Sequence, residues 1–139
     1  DSSPGRGFST AEPWLPYGDP ACNVADQDGD PESLLSLYRR AIWLRRTTPA
    51  LLKGTYRELP APSGVFAWAR TLPGERPVAV AVNTATSSRE VSLPGGGTVI
   101  LATHRAMEGA MLEGSLLLPP LAAAMVQAPA DRPPAKRTD

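Results

Sequence analysis

The sequence predicts an α+β chain made of a long loop, one amphipathic helix and a small antiparallel β-sandwich. Three observations predict it. Residues 1–29 are rich in Gly, Pro, Ser and Asp and show neither helical nor strand periodicity. Residues 30–46 are the one stretch with a sustained helical pattern of apolar residues. After Pro49, short β-type runs recur between turn signals such as Pro73-Gly74 and Gly95-Gly96-Gly97.

The loop comes first. A structureless run of this length is uncommon inside a compact domain unless it is a functional loop. Phe8, Trp14, Leu15, Tyr17 and Val24 are spaced like anchors tying it to a surface.

The helix is predicted over residues 30–48, with Asp30 as its N-cap and Pro31 at the first helical position. Glu32 near the start and Arg45 and Arg46 near the end complement the helix dipole. Thr48-Pro49 supplies the stop, because a residue before proline is pushed out of the helical region. Leu34, Leu37, Tyr38, Ala41 and Leu44 share one face, widened by Leu35 and Ile42. Arg45 falls inside that face, so a carboxylate or backbone carbonyls must meet it. Trp43 lies on the opposite side among Ser36, Arg39, Arg40 and Arg46. Both sides of this helix therefore want neighbours.

Pro49 to Lys53 turns the chain, and strands are predicted at 54–59, 65–71, 77–83, 89–93, 98–103, 111–118 and 122–128. In Val65-Phe66-Ala67-Trp68-Ala69, alternation sends both aromatics to one face and only methyl groups to the other. That aromatic face is expected to be the core, with Trp68 at its centre. The valines of Val78-Ala79-Val80-Ala81-Val82 would complement it. The tail, 129–139, is proline-rich and polar, a composition that favours disorder.

Composition excludes several function classes. Lys and Arg number 14, as do Asp and Glu, so the electrostatic argument for nucleic acid or an anionic membrane is absent. No apolar run approaches the roughly 20 residues that span a bilayer. Cys22 is the only cysteine, so no internal disulfide forms. The chain begins at Asp1 and its first methionine is Met107, which suggests the distal piece of a longer polypeptide.

Candidate chemistry is thin. Asp26-Gln27-Asp28-Gly29-Asp30 clusters hard oxygen ligands, but its glycine comes too early for a calcium loop and Leu37 stands where the closing Glu belongs. Capping and solvated loop charge explain these residues without a metal. His104, the only histidine, sits in a Thr-His-Arg turn expected at the surface. Cys22 lacks the partners a zinc site needs. The triple glycine lacks the Gly-Lys-Ser/Thr of a phosphate loop. Phe8, Trp14 and Tyr17 are candidates for a sugar-stacking platform, although aromatics in loops more often pin the loop down. No pair of carboxylates is singled out for glycoside hydrolysis.

The motifs go further. Gly7-Phe8-Ser9-Thr10-Ala11-Glu12-Pro13-Trp14-Leu15-Pro16 precedes Asn23-Val24-Ala25-Asp26-Gln27 and then Tyr38-Arg39-Arg40-Ala41-Ile42-Trp43-Leu44-Arg45. This series closely resembles the distal region of glycoside hydrolase family 13, in its oligo-1,6-glucosidase and maltase branch. There a GF-(S/T)-x-x-x-PWLP segment follows the eighth strand of a (β/α)8 barrel. An N-V-x-x-Q stretch, the last barrel helix and a C-terminal β-sandwich come next.

The resemblance covers residues 1–128, the β module mainly by layout. It implies that 1–29 is the loop after the eighth strand, 30–48 the last barrel helix and 49–128 the sandwich domain. Phe8 and Trp14 would then be substrate-binding residues at an active-site rim. The family's catalytic carboxylates lie upstream and match no residue here. No cofactor or metal is expected, the missing barrel is the expected partner, and a cytoplasmic location is expected. Two alternatives stand beside an α-glucosidase fragment: a transglycosylating isomerase as parent, and a stand-alone carbohydrate-binding or interaction module. The second needs exposed aromatics, and the β region offers Tyr56, Phe66 and Trp68.

Overall fold

The computed structural model describes residues 1–7, 9–20, 22–93 and 95–129. The chain divides into two compact units, Asp1–Trp43 and Leu44–Asp139.

In the first unit, Pro4–Gly7 makes a tight turn with Gly5 and Arg6 at positive φ. Helix α1 (Val24–Asp28) follows inside the stretch expected to be loop. Asn23 explains it: its Oδ1 accepts a hydrogen bond from Asp26 N–H at 3.0 Å, an N-cap a periodicity search does not see over five residues. Helix α2 (Leu34–Thr47) begins four residues after the predicted cap, with Pro31 outside it. Asp30 spends its carboxylate on Glu32 N–H at 2.8 Å, closing a local turn. Ser33 takes over as cap, its Oγ accepting from Ser36 N–H at 3.2 Å.

No residue of α2 is buried, although Leu34, Tyr38, Ile42 and Trp43 lie on it. The helix stops before Pro49, but Thr48 and Pro49 then start helix α3 (Pro49–Lys53), where a simple turn was expected. Arg45 Nη1 donates to the Leu51 carbonyl at 3.0 Å, the backbone partner its position called for.

The second unit is mostly sheet. Its strands are β1 (Thr55–Glu58), β2 (Val65–Thr71), β3 (Val78–Asn83), β4 (Arg89–Ser92), β5 (Gly97–Ala102), β6 (Met111–Leu112), β7 (Ser115–Leu118) and β8 (Ala123–Gln127). Six form an antiparallel sheet in the order β1-β2-β3-β8-β5-β6, and β4 pairs with β7 in a second sheet. The run 111–118, expected as one strand, is therefore two strands in different sheets. Gly114, at φ 148, provides the break, in a conformation that favours glycine.

The core lies between the sheets. Ala67, Ala69, Ala81, Ala124, Val99 and Val126 of the large sheet cluster with Val91, Leu93, Leu116 and Leu118. Small side chains on one sheet admit large ones from the other. This size matching overturns the expectation for Trp68. Ala67 and Ala69 point into the core, so the alternation of β2 turns Phe66 and Trp68 outward. The valines do share the aromatic face, with Phe66 opposite Val82 and Trp68 opposite Val80. Among the described residues, that face is covered at one end, where Ala50 and Leu51 of α3 pack with Val78, Leu72, Ile100 and Met125. Among the described residues, no helix is long and apolar enough to cross a membrane.

Candidate functional site

Two surfaces present side chains capable of recognition. One belongs to the loop of the first unit. Arg6 lies over the Tyr17 ring, 5.3 Å from its centroid, and its Nη2 donates to the Gly18 carbonyl at 3.3 Å. Asn23 Nδ2 donates to the Pro20 carbonyl at 2.8 Å while its oxygen caps α1. Gln27 Oε1 accepts from Leu35 N–H at 3.0 Å, in the first turn of α2. The two polar ends of the Asn23-Val24-Ala25-Asp26-Gln27 stretch are thus spent on shaping the chain. Val24, Leu34, Leu35 and Tyr38 help line a shallow groove of about 340 Å³ beside them.

The predicted site residues fare unequally. Phe8 lies outside the described residues. Trp14 is 92% exposed, presented outward rather than used to pin the loop. Tyr17 already carries Arg6 on its ring.

The acidic run is also accounted for locally. Asp26 receives the Asn23 amide, Asp28 pairs with Arg39, and Asp30 caps its own turn. Among the described residues, no three His, Cys, Asp or Glu side chains are grouped to hold a metal ion. His104 is exposed, with Nδ1 3.4 Å from Thr103 Oγ1, and Cys22 is an exposed free thiol.

The other surface is the outer face of β1 and β2, which sequence reasoning assigned to the core. Tyr56 and Trp68 stack with ring centroids 6.4 Å apart and planes inclined by 29°. With Glu58, Leu59, Pro60 and Phe66 they line an open groove of about 750 Å³. Tyr56 stands opposite Arg70 and Glu58 opposite Trp68. The signal that could have found this surface is the alanine series: Ala67 pairs with Ala81 and Ala69 with Ala79, a face suited to receive leucines from another layer.

With this geometry in hand, comparison with known proteins is informative. No family model matches the chain. It is 48% identical over 56 residues to a probable α-glucosidase of Rhizobium meliloti (strain 1021), a match covering 39% of this chain and 10% of that protein. It is 26% identical over 121 residues to the glucan 1,6-α-glucosidase of Streptococcus pneumoniae serotype 4, covering 86% of this chain and 22% of the relative. The trehalulose synthase of Pseudomonas mesoacidophila MX-45 superposes with a TM-score of 0.76 at 31% identity, over 87% of this chain and 23% of that one. The chain thus spans between a tenth and a quarter of the length of these relatives.

Proposed function

We propose that this chain, which resembles the C-terminal region of family 13 α-glucosidases, is the distal part of such an enzyme, acting on α-linked gluco-oligosaccharides. In this reading residues 1–29 follow the eighth barrel strand, 30–48 form the last barrel helix and 49–128 the accessory sandwich domain. The whole enzyme would hydrolyse terminal α-linked glucose with retention, through a glucosyl-aspartate intermediate formed by upstream residues. This chain supplies the rim of the site, with Phe8 and Trp14 touching the sugar. It does not catalyse alone. Its partner is the missing barrel, and a cytoplasmic setting belongs to the same reading.

The observation that carries this is the exposed apolar surface of α2. Leu34, Tyr38 and Ile42 repeat at helical spacing, and each is more than half exposed. Each buried side chain of this size gains about 1.5–3 kcal/mol, so the helix is built to be covered. The last helix of a barrel, packed on neighbouring strands and helices, meets that need.

The test has two arms. The coding sequence upstream of Asp1 should encode a barrel with the family's catalytic carboxylates, and an unrelated upstream region would overturn the reading. The purified chain should not cleave a chromogenic α-glucoside; turnover that survives rigorous repurification would overturn the non-catalytic assignment. A second parent, a sucrose-isomerising transglycosylase, is favoured by the superposition on a trehalulose synthase. Product analysis of the whole enzyme on sucrose distinguishes the two.

A further inference from the structure

The outer face of β1 and β2 is arranged as a square of four side chains. Tyr56 and Trp68 occupy one diagonal, with ring centroids 6.4 Å apart. Glu58 and Arg70 occupy the other, since Glu58 faces Trp68 and Arg70 faces Tyr56 across the ladder. Diagonal neighbours on a sheet lie about 7–8 Å apart, within reach of one small ligand. Phe66 extends the apolar floor and is 64% exposed. Glu58 makes no ion pair among the described residues, and Arg70 Nε is buried with no hydrogen-bond partner.

A dry protein partner is a poor occupant for this square. Covering it would strip water from a carboxylate and a guanidinium that do not pair with each other, at a cost of several kcal/mol. A ligand that is apolar on one face and hydroxylated at its edge meets both demands. Ring C–H groups stack on Tyr56 and Trp68, and hydroxyls donate to Glu58, the carboxylate that lines the same groove.

We propose that the groove beside Tyr56, Glu58, Trp68 and Arg70 is a non-catalytic binding site for a gluco-oligosaccharide. The choice of glucose units rests on the α-glucosidase reading; the choice of a neutral polyhydroxylated ligand rests on the aromatic pair and the carboxylate of Glu58 that line the groove. Such a site would hold a chain of sugar units on the accessory domain.

The test uses the full chain carrying Trp14→Phe and Trp43→Phe, so that Trp68 is its one tryptophan. Isomaltotriose and maltotriose are titrated against its fluorescence, with xylotriose as the third arm. The expected result is saturable quenching by a gluco-trisaccharide with a dissociation constant near ~1 mM, the weak affinity expected of an open site. Tyr56→Ala and, followed by calorimetry, Trp68→Ala should each weaken binding about tenfold or more, and Trp68→Phe should recover part of the loss. Leu117→Ser, on the far sheet, should bind as the parent does. Thermal melts report whether each variant folds, and the exposed Tyr56 keeps the test open if Trp68→Ala does not. No response to any sugar would overturn the proposal, as would quenching unaffected by Tyr56→Ala. A response to xylotriose alone would overturn the glucose assignment. A concentration-dependent dimer dispersed by Trp68→Ala, with no sugar response, would give the face to a second copy instead. The upstream coding sequence tests the α-glucosidase reading separately from all these outcomes.

Discussion

The Asn83 side chain donates from Nδ2 to the Leu118 carbonyl at 3.2 Å, and so joins the end of β3 in one sheet to the end of β7 in the other. The same amide reaches the Pro119 and Ser87 carbonyls at 2.8 and 2.9 Å, while Oδ1 accepts from Ala85 N–H at 3.0 Å. Asn83 is 1% exposed, and its bond to the Leu118 carbonyl is buried. Asn83→Ala should cost about 2–4 kcal/mol, because the buried Leu118 carbonyl and three part-buried backbone groups lose their partner at once. Asn83→Asp should be no better, since a carboxylate has no proton to offer the three carbonyls. Urea unfolding of the two variants checks both statements.

Ala69 belongs to the packed layer between the sheets, and Trp68 does not. Ala69→Leu should destabilise by about 1–3 kcal/mol by overfilling a layer already occupied by Leu116 and Leu118. Trp68→Ala should cost less, because its ring lies on the outer face, partly exposed and outside the packed layer between the sheets. The order of the two unfolding midpoints decides it. A larger loss at Trp68 would return that residue to the core.

Leu121 holds φ at 54° while its side chain is exposed. A left-handed backbone costs a non-glycine residue about 1–2 kcal/mol, only part of which glycine's greater unfolded-state entropy offsets. Leu121→Gly should therefore raise stability by up to about 1 kcal/mol, seen as a higher melting temperature.

Ser33 organises the entry to α2. Its hydroxyl accepts from Ser36 N–H and lies 2.8 and 2.7 Å from the Gln27 and Asp30 carbonyls. Ser33→Ala should cost about 1 kcal/mol of local helix stability. Faster amide exchange confined to the first turn of α2 would register it; unchanged exchange there would remove Ser33 as the cap.

Much of the fold was legible because local signals and tertiary packing agree. Val65–Thr71 was bounded by Pro-Ser-Gly and Leu-Pro-Gly, and β2 has those limits. The strand-turn spacing foretold a small sheet-rich unit, and the loop and helix motifs pointed to the relatives that comparison then found. Three things were not legible. The α2 cap depends on whether Asp30 or Ser33 wins the first-turn donors, a competition of about 1 kcal/mol. The split of 111–118 depends on which partner strand each half meets. The facing of β2 depends on the second sheet: Val91 of β4 and Leu116 and Leu118 of β7, with Leu93 just past β4, require alanines opposite, and no window on β2 alone contains that fact. Trp14 was legible as an aromatic candidate for recognition before its motif was considered, and the structure leaves it exposed.

The sheet order has a consequence for synthesis. β8 lies between β3 and β5, joining Ala81 to Ala124 on one side and Ala102 to Ala124 on the other. It is also the last strand among the described residues to leave the ribosome. Until Ala123–Gln127 emerges, β1-β2-β3 and β5-β6 are separate ribbons, each with an open edge beside β-branched residues. The sheet closes like a vault whose keystone is delivered last, so a nascent chain that stalls just short of it presents two adhesive borders at once.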